Sequence, residues 1–301
     1  MTNPKFKHLT LGVIAVTASL IPFLAAKTAH AAVLVDGWSY SMDSFDDSMR
    51  GSNVGGTDYE IYGMAMKQTA DEVIFAINSN LGIGGIGSEY AEDGHVGWGD
   101  LLLNFTGQNL DTASATSQLL GIRWAGNNDS GAPQLGVYEN VSATDIANQN
   151  GLLLDNLQEY NDWVRDHGST PSIGDLAAND PYFNPNRHIQ NVIAAGTRIG
   201  DVNVLGNMGN LGVNFGQFGA TGTHTLGFSI ARSLLPDGAF IAHLAPECDN
   251  DVTAMLAALY PPAPEPPQDV PEPGMALSLL GLGGLVGAFR LRRGNLQSKL
   301  G

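Results

Sequence analysis

The sequence predicts a mainly β fold, a β-sandwich or jelly roll with a helical insertion, flanked by hydrophobic helices at the N-terminus and the C-terminus. Two observations predict the β part: short segments in which apolar and polar residues alternate, and the Gly, Asn and Asp clusters between them. The chain has 301 residues, 43% of them hydrophobic, with 38 glycines and 15 prolines. This composition suits one folded domain with many turns.

Two pairs of segments give the clearest strand signals. The side chains of residues 73–78 are predicted to point alternately to the two faces of a strand. A short polar connection joins this strand to the apolar, aromatic segment at 59–66. The same pattern recurs at 212–218 and 225–230, on either side of a Gly-containing turn. Further strands are predicted at residues 101–105, 121–125, 136–138, 192–199 and 240–244.

A helical insertion is predicted at about residues 142–168. Apolar residues between Leu153 and Val164 recur at helical spacing, and Gly168 is a typical helix stop. The Ser142-x-x-Asp145 spacing is that of a capping motif and predicts a shorter helix before the main one.

The N-terminus has the order of a secretory signal peptide. Lys5 and Lys7 precede an apolar stretch at 9–26, and Ala29 and Ala31 form an A-x-A cleavage site. We therefore expect residues 1–31 to be removed by signal peptidase. An exported domain would begin at Ala32 and extend to residue 259.

The C-terminus has three elements in sequence. A proline-rich linker at 260–269 favours extended backbone, and residues 275–289 then form an uncharged run. This run has 15 residues, short of the ~20 that usually span a bilayer, although arginine side chains can extend a short span. The basic stop consists of Arg290, Arg292 and Arg293. These arginines predict a cytoplasmic tail at 295–301, with the acidic domain on the other side of the membrane.

The tail resembles a PEP-CTERM sorting signal, at residues 270–294. The resemblance rests on Pro271, Glu272 and Pro273, followed by the hydrophobic sorting helix and the arginines. It implies recognition by the membrane protease exosortase, transient anchoring in the inner membrane, removal of the tail near this motif, and release or attachment at the cell surface. The chain also resembles cyanobacterial exosortase-dependent surface proteins, at residues 37–45, 59–63 and 247–251. This second resemblance implies no particular activity.

The charge distribution restricts the partners. The net charge is −16, and all 30 acidic residues lie between Asp36 and Glu272. Since only seven of the 14 basic residues lie in the same region, residues 32–272 carry a net charge of −23. Such a surface argues against nucleic-acid binding and attracts divalent cations. It equally fits a role in solubility alone.

Oxygen-rich turns at 43–47, 127–131 and 249–251 are the candidate metal sites. Asp43, Asp46 and Asp129 are the predicted ligands, because calcium prefers six to eight oxygen ligands. The spacing is not that of an EF-hand, and Asx turns explain the same residues without a metal.

The aromatic residues offer a candidate ligand surface. Trp38, Trp98 and Trp124 are the candidate sugar-stacking residues, although most of them are expected in the core, because aromatic residues fill sandwich interiors.

The sequence predicts no catalytic residues. It has no G-x-S-x-G, H-E-x-x-H or C-x-x-C motif, and the glycines at 82–87 are not followed by a predicted helix. Cys248 is the single cysteine and lies among carboxylates, which disfavour a thiolate; a buried or unpaired thiol is expected, with an intermolecular disulfide as the alternative. A distant Asp or Glu pair stays open as a glycosidase arrangement.

We therefore expect a surface or matrix protein with a structural or adhesive role. The alternative is a carbohydrate-binding module that contacts extracellular polysaccharide.

Overall fold

The computed structural model describes residues 32–206 and 208–261. The predicted signal cleavage site at Ala29 and Ala31 therefore lies outside the described residues. So do the sorting motif at 271–273 and the basic stop at 290–293. Within the described ranges, no helix is both long and apolar enough to cross a membrane.

The first sheet has six antiparallel strands. In spatial order they are β1 (Val33–Val35), β2 (Trp38–Met42), β5 (Ile61–Gln68), β6 (Glu72–Ser79), β14 (His224–Ala231) and β13 (Val202–Leu205). Phe75 of β6 lies opposite Phe228 of β14, so apolar residues of neighbouring strands share one face. Gly63 lies beside a register shift at φ +154°, where a Cβ atom would be 2.6 Å from the Ser41 carbonyl oxygen. Glycine is required there.

The second sheet also has six antiparallel strands. In spatial order they are β12 (Val192–Gly200), β11 (Gly136–Thr144), β10 (Leu119–Arg123), β9 (Leu101–Asn104), β15 (Gly238–Leu244) and β16 (Thr253–Leu259). The prediction of a mainly β fold is confirmed.

Small elements lie between the strands of the two sheets. The two-stranded ribbons pair β3 (Met49–Arg50) with β4 (Asn53–Val54) and β7 (Ile86–Gly87) with β8 (His95–Val96). The helices are α1 (Leu110–Ala115) and α2 (Leu157–Asp166), and three 3-10 turns span Met208–Leu211, Phe215–Phe218 and Arg232–Leu234. In α2 the Asn156 side chain accepts the Glu159 N–H, and Gly168 is left-handed at φ +87°.

The main core contains apolar residues of both sheets. Phe75 and Phe228 of the first sheet belong to the same cluster as Leu103 and Ile122 of the second. Trp124, just after β10, stacks on Phe228 at 5.2 Å between ring centroids. A second cluster packs Tyr160 and Val164 of α2 against residues of the second sheet.

Two sequence predictions of local structure are wrong. Residues 212–218 contain no strand, because this segment covers the outer face of the first sheet and turns at left-handed glycines 212 and 219. Ser142 lies in β11 and caps no helix, since its segment pairs with β12. The helical insertion itself is confirmed at α2.

Candidate metal centre and surface groove

Three acidic side chains meet where distant strand ends converge. Asp47 follows β2, Glu60 immediately precedes β5, and Asp251 precedes β16. One carboxylate oxygen of each lies within 4.8 Å of those of the other two. All three residues are 0% exposed. We call this group the acidic cluster; its donor set could hold a metal ion.

Hydrogen bonds fix one oxygen of Asp47, one oxygen of Glu60 and both oxygens of Asp251, whose Oδ1 accepts the Val252 N–H at 2.7 Å. The donors are the Ile61 N–H to Asp251 Oδ2 (2.6 Å), the Ser172 N–H to Asp47 Oδ2 (2.7 Å) and the Ser48 hydroxyl to Glu60 Oε2 (2.6 Å). The remaining oxygens of two members, Asp47 Oδ1 and Glu60 Oε1, are buried and have no hydrogen-bond partner among the described residues. These two oxygens keep free acceptor capacity inside the protein.

Asp43 is a fourth buried carboxylate next to the acidic cluster. Its Oδ1 accepts the N–H groups of Ser44 and Gly174, each at 3.0 Å, and the Ser172 hydroxyl. Asp43 therefore links the end of β2 to the segment at 172–174. Its charge also acts on Asp47, whose pKa it raises.

The electrostatics of this region favour neutral carboxyls. Burial raises the pKa of Asp47 to about 9, with a further rise from the Asp43 and Glu60 charges, and raises the pKa of Asp43 to about 6. Burial likewise raises the pKa of Glu60 and Asp251. None of the ion pairs within residues 32–206 and 208–261 involves these four residues. A cation would reverse this preference.

Helix α2 covers the acidic cluster. The Tyr160 hydroxyl donates to the Asp47 carbonyl oxygen at 2.8 Å. Burial, together with the charges of the acidic cluster and Asp43, raises the pKa of this phenol well above its usual range. The predicted helical insertion thus closes the site from solvent.

The predicted calcium ligands do not form one site. Asp43 borders the acidic cluster, but Asp46 is exposed and accepts the Ser44 hydroxyl at 2.9 Å. Asp129 is also exposed, and its N–H donates to Glu247. The structure therefore places Asp43 beside the acidic cluster and leaves Asp46 and Asp129 on the surface, and calcium binding by these residues stays a prediction. Sequence reasoning identified two of the turns involved, at 43–47 and 249–251, but missed Glu60, whose only signal is its place before a strand.

A second buried carboxylate organises the turn at 127–131. Asp100 is 0% exposed. It accepts hydrogen bonds from the Asn128 amide (2.9 Å), the Ser130 hydroxyl (2.6 Å) and the Ile193 N–H (2.8 Å). Burial raises the pKa of Asp100, while these donors and the Arg123 charge lower it. This turn is held by protein donors.

A surface groove of about 600 Å³ is lined in part by residues that are adjacent in sequence to members of the acidic cluster. Its lining includes Met49, Tyr59, Tyr90, Leu153, Trp163 and Asn250. Tyr90 is 72% exposed and Leu153 is 84% exposed, whereas Tyr59 is buried. The groove is mostly apolar, with polar groups from Asn150 and Arg50 on its wall.

The three predicted ligand tryptophans are core residues. Trp38, Trp98 and Trp124 are each 0% exposed. Trp98 and Trp124 lie in the main core at 5.5 Å between ring centroids, and the Trp38 Nε1–H donates to the Leu211 carbonyl oxygen. A buried indole presents no face to a sugar, and all three tryptophans lie in the core, as expected for most of them.

Two titratable side chains outside these sites are also buried. Cys248 is a free, buried thiol whose pKa is raised mainly by burial and further by neighbouring carboxylates. His243 is 0% exposed, and its Nδ1 lies 3.1 Å from the Tyr182 hydroxyl. Burial lowers the pKa of His243 to about 4, so its ring is neutral at pH 7.

Comparison with known proteins identifies one segment. Residues 269–293 match the family model described as the PEP-CTERM protein-sorting motif. Searches of curated proteins and of solved structures find no match. The motif indicates exosortase-dependent export to the cell surface. The chain therefore carries a PEP-CTERM protein-sorting motif at residues 269–293, after a mainly β region.

Proposed function

We propose that this chain acts at the cell surface or in the surrounding matrix, in a structural or adhesive role. The observation that supports this most strongly is the sorting motif at 269–293. We further infer that the two sheets form a β-sandwich, because Phe75 and Phe228 share one core with residues of the second sheet. The acidic surface keeps such a domain soluble outside the cell.

The proposed processing involves two proteases. Signal peptidase would cut after Ala31, and exosortase would cut near Pro271–Pro273 after transient anchoring in the inner membrane. The mature protein would then span about residues 32–272. Intact-mass measurement of the exported protein tests this, with the triple variant Arg290→Gln, Arg292→Gln and Arg293→Gln for comparison. An exported species that still contains residues 275–293 would contradict exosortase processing.

The structural role has its own test. Deleting the gene should weaken cohesion of the cell-surface matrix, and the full chain should restore it. A chain truncated before residue 269 should be exported without restoring cohesion. Full restoration by the truncated chain would contradict a role that depends on sorting.

The groove supports a second candidate function, contact with extracellular polysaccharide. Exposed Tyr90 and partly buried Trp163 line it, and aromatic rings commonly stack on sugar faces. Two buried polar atoms of lining residues, Trp163 Nε1 and Asn150 Oδ1, have no partner in the described part of the chain. A polysaccharide pull-down with the wild type and Tyr90→Ala tests this. Equal retention of both proteins would remove the groove as the binding site.

We propose no catalytic activity for the domain. Its single cysteine is buried with a raised pKa, and the buried His243 is held by Tyr182 and the Gln190 carbonyl. Incubation with a panel of polysaccharides, peptides and esters tests this proposal. Turnover lost on replacing one carboxylate, in a variant that still folds, would overturn it.

A further inference from the structure

The acidic cluster concentrates negative charge where the described protein supplies no positive charge. Asp47, Glu60 and Asp251 are fully buried, and Asp43 is 7% exposed. Removing an ionised carboxylate from water is costly unless a partner compensates it, and like charges at short distance add to that cost. No ion pair between described residues provides such compensation here. The arrangement therefore calls for a cation.

Two buried oxygens point independently to a ligand. Asp47 Oδ1 and Glu60 Oε1 have no hydrogen-bond partner among residues 32–206 and 208–261, although their neighbouring oxygens are bonded to Ser172 and Ser48. A buried acceptor without a partner is uncommon in native proteins and requires an explanation. Because the bonded oxygens fix both side chains, these free oxygens are preorganised acceptors.

The spacing fits one ion. A calcium ion binds oxygens at about 2.4 Å, so two ligands on opposite sides lie about 4.8 Å apart. The candidate oxygens of Asp47, Glu60 and Asp251 all lie within 4.8 Å of one another. One ion between them can thus reach all three with little movement.

The donor chemistry selects the class of metal. Every candidate ligand is a carboxylate oxygen, which suits a hard cation and disfavours zinc or copper, whose sites favour nitrogen and sulfur. Magnesium demands near-ideal octahedral geometry at about 2.0–2.1 Å, whereas calcium accepts irregular sets of oxygen ligands at about 2.3–2.6 Å, which suits carboxylates already fixed by the fold.

We propose that Asp47, Glu60 and Asp251, assisted by Asp43, bind a calcium ion that joins three distant parts of the chain. These parts are the loop after β2, the start of β5 and the start of β16. The ion would neutralise the repulsion between their carboxylates. It would also fix Met49, Tyr59 and Asn250, the groove residues next to this loop and these two strands. The proposal stands independently of any role for the groove.

Calcium titration of the full chain in mild detergent tests the proposal. After chelator treatment and buffer exchange, calorimetry with CaCl₂ up to about 10 mM should show one bound ion per chain, and thermal melts should shift upward by several degrees. Asp47→Asn, which keeps the side-chain shape, should weaken calcium affinity at least tenfold. The matched control Asp46→Asn, one residue away and exposed, should bind like the wild type.

The variant must be shown to fold. Asp47→Asn should retain the wild-type circular dichroism spectrum and melt cooperatively in chelator. Glu60→Gln provides a second isosteric change at the same site and should give the same loss. Absence of calcium binding by the wild type would overturn the proposal, as the carboxyls would then be held protonated. Wild-type affinity in both Asp47→Asn and Glu60→Gln would also overturn it.

Discussion

Two buried acidic sites in this protein differ in how their oxygens are satisfied. Asp100 receives three hydrogen bonds, from Asn128, Ser130 and Ile193. Asp47 is equally buried, but one of its oxygens has no partner in the described part of the chain, and its charged neighbours include the carboxylates of Asp43 and Glu60. Burial raises the pKa of both residues. The two residues therefore differ in their hydrogen-bond partners and charged neighbours and not in how deeply they are buried.

This difference separates two roles of a buried carboxylate. At Asp100 the protein supplies the donors, so the side chain acts as a connector between the 127–131 turn and β12. At the acidic cluster the protein supplies only part of the compensation, so a ligand from solution can provide the rest. Removing the carboxylate should therefore have opposite effects at the two sites in the absence of calcium.

The largest effect is expected at Asp100. Asp100→Ala leaves the Asn128 amide, the Ser130 hydroxyl and the Ile193 N–H without their acceptor, and each buried unpaired donor costs about 1–3 kcal/mol. We expect the free energy of unfolding to fall by about 3–5 kcal/mol, measured by urea denaturation. The loss should be the same in calcium and in chelator.

Asp129→Ala is the control for this change. It alters an exposed side chain in the same turn and keeps the backbone N–H that donates to Glu247. No measurable loss of stability is expected. A loss below about 1 kcal/mol in Asp100→Ala would contradict the connector role.

His243 is a buried residue whose pKa is lowered by burial and not by neighbouring charges of the same sign. Its pKa is about 4 in the fold and 6.5 as an ordinary value, so the folded protein binds fewer protons than the unfolded chain. This contribution to stability is fully present above about pH 6.5 and is lost as the pH falls toward 4. It amounts to about 3 kcal/mol.

The variant His243→Gln isolates that contribution. It should be less stable than the wild type at pH 7, because it loses the Tyr182 contact, and its deficit should shrink as the pH falls to 4. His224→Gln, at an exposed position, should show no such trend. A deficit that stays constant from pH 7 to pH 4 would contradict the lowered pKa.

The third effect is smaller and has the opposite sign to that at Asp100. In chelator, Asp47→Asn removes a carboxyl whose raised pKa requires proton uptake on folding at pH 7, and it should raise the free energy of unfolding by about 1–2 kcal/mol. In saturating calcium the wild type should be the more stable protein. Urea denaturation in both conditions measures the reversal. A variant less stable than the wild type in chelator would indicate that Asp47, like Asp100, is only a connector.

The sequence predicted local structure better than the site. Alternation identified β6 and β14, and helical spacing identified α2, because these signals depend on residues close in sequence. The acidic cluster depends on the pairing of strands from both ends of the domain, which joins Asp47 and Asp251 across about two hundred residues. The oxygen-rich turns at 43–47 and 249–251 were visible, but nothing local marked their meeting or the contribution of Glu60.

The tryptophans illustrate the same limit. Their rings suit both a sugar platform and a core, and only the arrangement of the sheets decides between them. Trp124 stacks on Phe228, about one hundred residues away in sequence. The strand prediction for residues 212–218 was wrong for a related reason, because this segment covers the outer face of the first sheet instead of pairing within a sheet.

The smallest effect on stability is expected in the groove. Tyr90 is 72% exposed, so Tyr90→Ala should leave the melting temperature unchanged within about one degree. If the groove contacts polysaccharide, this variant should lose about tenfold in affinity, measured by affinity electrophoresis. Phe45→Ala, another exposed aromatic outside the groove lining, is the matched control.

The most direct test of the central claim is the metal content of the exported protein. Mass spectrometry of the protein, purified in buffer containing calcium and passed over a desalting column equilibrated with the same buffer, should find one calcium per chain above the buffer level. Asp46→Asn and Asp129→Asn should retain that ion, and Asp47→Asn should lose it. Equal calcium content in the wild type and Asp47→Asn, whether one ion or none, would contradict calcium binding at the acidic cluster.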